Sequence, residues 1–281
     1  MSNSAFTTLR KFIITAICIA LTAGYAGAAD RSPMSDASRG YLTSATAPDS
    51  AMLLPPPPAT GSAALALDEE ISRDSQALKD SPRWALATMD ADLTFPAAAG
   101  AFSCALNAPV TEQDTPHLYN LLRRVFADTN QATSRAKKKY MRSRPFVANG
   151  KPSCSPKDEQ FLKTNGSYPS GHSAAGWAWA LLLAEIAPDR ADAILARGRA
   201  FGQSRVICNV HWESDVMEGR FMGAATVARL HGDPAFRADL EAARAELAAV
   251  RAKGAKPARD CKAEAAALAE IPPNVPWPAN R

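Results

Sequence analysis

Histidine, aromatic residues and strand-like alternation are all scarce in this chain of 281 residues. It has 4 His, aromatics make up 7 %, and apolar and polar residues almost nowhere alternate over the length of a strand. Without that period of two, and with few β-branched runs, an extensive sheet is excluded and an all-α fold is expected. A surplus of one charge is missing too. Lys and Arg number 32 against 28 Asp and Glu, a formal charge of +4. No nucleic-acid polymer is expected as a partner, and affinity for anions must come from a local cluster. The cysteines form no CxxC pair, which argues against a zinc site, and no repeat of fixed period is present.

Long apolar runs are absent after residue 26. The one before it, Phe12 to Ala26, follows Arg10 and Lys11 and leads into small residues. A basic start, a short apolar stretch and a small-residue cleavage point describe a secretory signal peptide, residues 1–28, cut after Ala28 or Ala29. The run is too short for a comfortable membrane span. Cys18 raises the question of a lipid anchor, but Ile17 before it is too large for that processing. The mature protein is expected to be periplasmic, with no membrane association. Cleavage leaves 30 basic against 28 acidic residues. It also leaves Cys104, Cys154, Cys208 and Cys261, an even number that reads as two disulfides in an oxidising compartment, with three pairings open.

Residues 29–65 are rich in Ser, Ala, Asp and Pro and contain four consecutive prolines, Pro55 to Pro58. That composition predicts an extended arm, either strapped over the body or loosely held. From residue 66 to about 255 apolar residues recur at helical spacing, which predicts a single-domain helical bundle. Ser81 and Pro82 mark a helix start. The stretch Thr111–Met141 reads as one or two helices. A strongly apolar helix begins at Ser170, an amphipathic one follows in Asp189–Arg205, and two more cover Ser214–Pro234 and Phe236–Lys253. Residues 256–281, Ala-rich and then Pro-rich, read as a tail of little function.

Three short stretches carry the chemistry. Lys137 is followed after six residues by Arg144-Pro145; after 23 more comes Pro169-Ser170-Gly171-His172; after a further 31 comes Ser204-Arg205, with His211 and Asp215 behind it. This three-part pattern resembles the signature shared by acid phosphatases, type-2 phosphatidic acid phosphatases and vanadium haloperoxidases. Within that group the chain resembles class A bacterial nonspecific acid phosphatases. The likeness extends to "LPPPP", "SPRW", "NGSYPSGH" and "GQSRVICNVHW", over roughly residues 50–250.

The chemistry of phosphoryl transfer suits these residues. Charge spreads over three phosphoryl oxygens, so catalysis is mostly positioning and electrostatic stabilisation. Lys137, Arg144 and Arg205 supply cations, and the guanidiniums can grip two oxygens each. Ser170 and Gly171 stand at a helix start, where free N–H groups and the dipole favour an anion, and Gly171 keeps a Cβ out of the way. The resemblance implies that His211 is the nucleophile, giving a phosphohistidine, and that His172 protonates the leaving group. Asp215, one helical turn beyond His211, would accept its Nδ1–H and leave Nε2 free to attack. No metal and no cofactor is called for. The resemblance further implies phosphate monoesters as substrates (nucleotides, sugar phosphates, aryl phosphates), an optimum below neutrality, and a homo-oligomer. Cys154 lies between the first and second stretches and Cys208 within the third, so a Cys154–Cys208 bond would brace the site and leave Cys104–Cys261 to hold the tail.

Bland readings suit the rest. His117 and His231 read as structural, Lys138 and Lys139 as a solvated face, and Trp177 and Trp179 as core. Arg142 reads as surface rather than as a partner of the site, and Glu213, two residues from His211, as solvent-facing. A haloperoxidase would use the same cradle for vanadate, but the modest length and the phosphatase-like stretches argue against it. A lipid phosphatase of this group would carry several membrane spans, and a mere phosphate-binding module would need neither histidine nor Asp215.

Overall fold

The computed structural model describes residues 39–275 and 277. The signal peptide read in residues 1–28 and the first ten residues of the arm lie outside the described residues. Among the described residues there is no strand, and eight helices have nine residues or more. They are α1 Ala63–Ser75, α2 Pro82–Asp90, α3 Pro116–Tyr140, α4 Gly171–Ile186, α5 Ala191–Ile207, α6 Glu213–Leu230, α7 Pro234–Ala252 and α8 Cys261–Ala269. Thr111–Met141 thus holds one helix, not two. Local signals set several starts. The Ser81 hydroxyl accepts from the N–H groups of Arg83 and Trp84 with Pro82 at the first position, and Asp233 caps α7 ahead of Pro234.

Helix α4 is apolar on nearly all sides, which suits a helix buried all round. It packs between α5 and α6, with α3 alongside. Trp179 is fully buried there, its ring 6.0–6.4 Å from those of Phe95, Phe102, Phe126 and Phe201. Its indole N–H is satisfied by the Leu122 carbonyl at 2.9 Å. Trp177 is half-buried against the same core. Helix α6 comes unusually close to α4: a Cβ on Gly219 would lie 2.5 Å from the Ser170 carbonyl oxygen, and one on Gly223 2.5 Å from that of Ala174. Two glycines therefore let the middle of α6 lie against the start of α4.

One expectation needs correction. Helix α5 is not amphipathic along its length: from Ala200 to Ile207 every residue is buried, because this half is wedged between α4 and the segments around it. The tail contains α8, tied by the Cys104–Cys261 disulfide, with Glu264 buried and paired to Arg197 at 3.3 Å and Arg259 at 3.1 Å. The described part of the arm runs along α3. Asp128 accepts from the N–H groups of Tyr41 at 3.0 Å and Leu42 at 2.9 Å, and Ser50 Oγ accepts from Ala136 N–H at 3.0 Å.

Candidate active site

The three stretches meet through backbone contacts and one disulfide. Lys137 lies in the last turn of α3, which Met141 ends in a left-handed conformation, φ 42°. Arg144 follows, at the start of a one-turn helix, Pro145–Asn149. That turn is joined to the loop after α5: Phe146 N–H donates to the Asn209 carbonyl at 3.0 Å, Cys154 N–H to the Cys208 carbonyl at 3.1 Å, and Cys154 is bonded to Cys208. Asn209, φ 62°, turns the chain back so that Val210 and His211 N–H both reach the Arg205 carbonyl at 3.2 Å. Ser170 N–H donates to the Asp215 carbonyl at 2.9 Å, which fixes the second stretch to the third.

The cations crowd together with few counter-charges. Lys137 Nζ donates to the Gly166 carbonyl at 3.1 Å. Arg144 is buried and largely committed to the backbone, with Nε on Leu162 and Asn165 and Nη1 on Val210. Arg205 is 2 % exposed, and its Nε and Nη1 are buried with no hydrogen-bond partner among the described residues. Burial pulls all three below their ordinary range, and neighbouring positive charge adds to it for Lys137 and Arg205. Lys137 falls to about 7, by burial and then by Arg144. Arg205 falls to about 9 for the same two reasons, and burial lowers Arg144 to about 10.

The imidazole of His211 is held from both sides. Arg144 Nη1 lies 3.1 Å from Nε2. A guanidinium only donates, so Nε2 accepts and Nδ1 carries the proton. Nδ1 faces Asp215 Oδ2 at 3.3 Å. Burial, then the charges of Arg144, Lys137 and Arg205, hold His211 well below 6.5 and keep it neutral. Asp215 does not reach it along a helix. His211 precedes α6, and Asp215, in its first turn, folds back to accept Trp212 N–H at 2.9 Å. His172 is half-buried, with Nε2 3.1 Å from the Ala91 carbonyl. That bond makes Nε2 its protonated nitrogen in the neutral form. Burial, then Arg205, His211 and Arg144, depress it well below 6.5.

At the start of α4, Ser170 Oγ accepts from Ser173 N–H at 3.2 Å, while Ala174 N–H goes to the Ser170 carbonyl. The N–H groups of Gly171 and His172 come before the first intrahelical bond. A Cβ on Gly171 would make ordinary 3.8 Å contacts with Lys137 Cε and Thr133 Oγ1. The protein alone leaves room for one, so any need for glycine comes from what binds there. Among the described residues, no group of three or more His, Cys, Asp or Glu side chains is arranged to hold a metal ion.

The model of the PAP2 superfamily matches residues 118–237, which include all three stretches. A non-specific acid phosphatase of Providencia stuartii is 45 % identical over 212 residues, 75 % of this chain and 86 % of that protein. One from Salmonella typhimurium is 46 % identical over 200 residues, 71 % and 80 % of the two chains. An acid phosphatase of Zymomonas mobilis is 44 % identical over 209 residues, 74 % and 79 %. The chain belongs to the PAP2 superfamily. Within it, the similarity is to the non-specific acid phosphatases.

Two readings made from the sequence fail in this PAP2 chain. Arg142 is not a surface residue: its side chain is 9 % exposed, with Nη1 2.6 Å from Asp215 Oδ1 and Nη2 2.7 Å from Asp68 Oδ2. Glu213 does not face solvent: Oε2 is buried, burial pushes the carboxyl pKa up, and Arg220 and Trp277 stand nearby. Ser167 and Asp68 were missed altogether. Ser167 Oγ makes a very short hydrogen bond to Asp215 Oδ2, and Asp68 also accepts from Ser214 N–H at 2.8 Å. Ser167 sits inside the "NGSYPSGH" stretch and could have been suspected. Asp68 lies on α1, outside every motif, and nothing local marks it. His117 and His231 stay apart from the site: His117 is exposed, and His231 pairs with Glu185 at 3.3 Å. Lys138 and Lys139 are exposed, as the sequence implied.

Proposed function

We propose that this chain is a periplasmic acid phosphatase that hydrolyses phosphate monoesters of many kinds through a phosphohistidine, without a metal. One observation carries the reading: Arg205, buried with two donors unpartnered among the described residues, beside two further cations and a neutral imidazole whose tautomer is fixed. Such a cluster is costly when empty and is relieved by an anion. A phosphoryl group would take Arg205 Nε and Nη1, the Lys137 ammonium, and the N–H groups of Gly171 and His172. Arg144 would swing its Nη1 from His211 Nε2 onto a phosphoryl oxygen.

The freed Nε2 lone pair then attacks phosphorus as the P–O bond to the alcohol breaks. The departing oxygen takes a proton from His172, whose Nδ1 is the nitrogen not engaged with Ala91. Neutral His172 next takes a proton from water, hydroxide attacks phosphorus, the P–N bond breaks, and inorganic phosphate leaves. Asp215 stabilises the positive charge on the His211 ring throughout. The bound dianion offsets the Arg205 charge beside His172 and favours its protonated form. Because that acid must be protonated and His211 must not, turnover should fall as pH rises above neutrality.

A cleft of about 1090 Å³ adjoins the site, with Ala91, Asp92, Thr94, Lys157 and Asp158 in its walls. It touches His172 through Ala91, and the Asp158 charge acts on Arg205. This space is far larger than a phosphate and suits varied alcohol portions. The test is phosphate release from an aryl phosphate at mildly acidic pH with chelator present, in wild type and His211→Ala, with acid-labile, base-stable phosphate trapped on the enzyme. Chelator-resistant turnover, a trapped phosphoenzyme and a dead variant are expected. Loss of activity with chelator overturns metal independence; an active His211→Ala overturns the nucleophile. Recovery of the protein by osmotic shock, with an N-terminus at residue 29 or 30, tests export.

A further inference from the structure

The last residue of α2 and the one after it connect to two parts of the site at once. Asp90 is 2 % exposed and takes Arg197 Nη1 at 3.1 Å and the Ser204 hydroxyl at 2.7 Å. Ser204 is the neighbour of Arg205 and also accepts from Arg83 Nη1 at 3.0 Å. Ala91 ends the helix, so its carbonyl has no intrahelical partner and is free to accept from His172 Nε2. Arg197 is held at its other edge by Glu264 of α8, which the Cys104–Cys261 bond tethers. The charged groups around Asp90 are therefore Arg197 and Arg83, with Glu264 and Glu270 behind them.

We propose that Asp90 is a positioning residue for proton transfer: anchored by Arg197 and Ser204, it fixes the Ala91 carbonyl that orients the His172 ring and presents Nδ1 to the leaving oxygen. This rests on the reading of His172 as the acid. The C-terminal helix thereby belongs to the catalytic scaffold, acting through Glu264 and Arg197. Misplacing an acid by about 1 Å can cost roughly 100-fold in rate. The cost depends on the leaving group, because an alkoxide needs the proton and a nitrophenolate barely does.

The test compares kcat/KM for glycerol phosphate and p-nitrophenyl phosphate in wild type, Asp90→Asn, Ser204→Ala and His172→Ala, with folding checked by circular dichroism. Asp90→Asn should lower the value for glycerol phosphate about 100-fold and that for the nitrophenyl ester less than about tenfold. Ser204→Ala keeps the Asp90–Arg197 pair and should show the same split at smaller amplitude; it carries the test if Asp90→Asn does not fold. Equal losses on both substrates, or none, overturn the proposal. If His172→Ala shows the split and the other variants do not, the Asp90 link fails while the acid assignment stands. If His172→Ala loses both substrates equally, the acid assignment falls and the Asp90 link falls with it.

Discussion

Replacing Arg205 by methionine should stabilise the phosphate-free protein and abolish its stabilisation by phosphate. Arg205 is 2 % exposed, two of its nitrogens lack partners among the described residues, and burial holds its guanidinium at about 9, well below the ordinary arginine range. At about 1.4 kcal/mol for each factor of ten, the charge opposes folding by on the order of 5 kcal/mol. Methionine fills comparable space without that charge, and exchanges of buried charge for apolar groups recover roughly 1–4 kcal/mol. With about 2–4 °C for each kcal/mol in a domain of this size, Tm should rise by roughly 2–16 °C. Phosphate at about 100 times its Kd should lift the wild type by about 2.7 kcal/mol, roughly 5–11 °C, and leave the variant unmoved. Differential scanning calorimetry at mildly acidic pH, with and without phosphate, reads both effects. A lower Tm for the empty variant, or a phosphate shift that survives the substitution, would refute the argument.

Other outcomes follow from the same geometry. Lys137 titrates near 7 in the fold and near 10.5 in the unfolded chain. The unfolded state therefore binds more protons between those values, and this group's penalty, complete below pH of about 7, should fade as pH rises. Denaturant midpoints without phosphate should show that rise in wild type and lose it in Lys137→Met. Arg142→Met strips a cation from two buried carboxylates, Asp68 and Asp215, and should cost about 3–5 kcal/mol in urea unfolding; an unchanged midpoint would contradict the pairing. Removing the Cys154–Cys208 bond, which closes 54 residues, should cost about 2–4 kcal/mol and depress activity as the first and third stretches loosen. His172→Ala should lower kcat/KM on alkyl phosphates by roughly 10²–10⁴.

Much of the site was legible because its residues keep fixed spacing around helix ends. Ser170 reads as a helix start, and it caps one, and the offset from Lys137 to Arg144 survives a break in the chain at Met141. The partner of His211 was legible as a residue but not as a geometry. A four-residue offset suggested one helical face, whereas the structure uses a turn and the first N–H groups of α6. Arg142 and Glu213 were misread for one reason: both are charged, and charged residues are usually solvated. Their burial depends on α1 and the segment near Trp277, which no local pattern announces. The Ala-rich tail likewise conceals one buried carboxylate, Glu264.

The sequence alone determined the helical class, the starts of α2 and α4, and the set of cations and imidazoles, because spacing, capping and residue type are local properties. Only the tertiary structure decided that Arg144 covers Nε2 of His211, that two Arg205 nitrogens lack partners among the described residues, and that Asp68, Asp90 and Glu264 stand behind the site. Protonation and ion pairing depend on what lies within a few ångströms after distant segments have packed, and no window of sequence contains that distance.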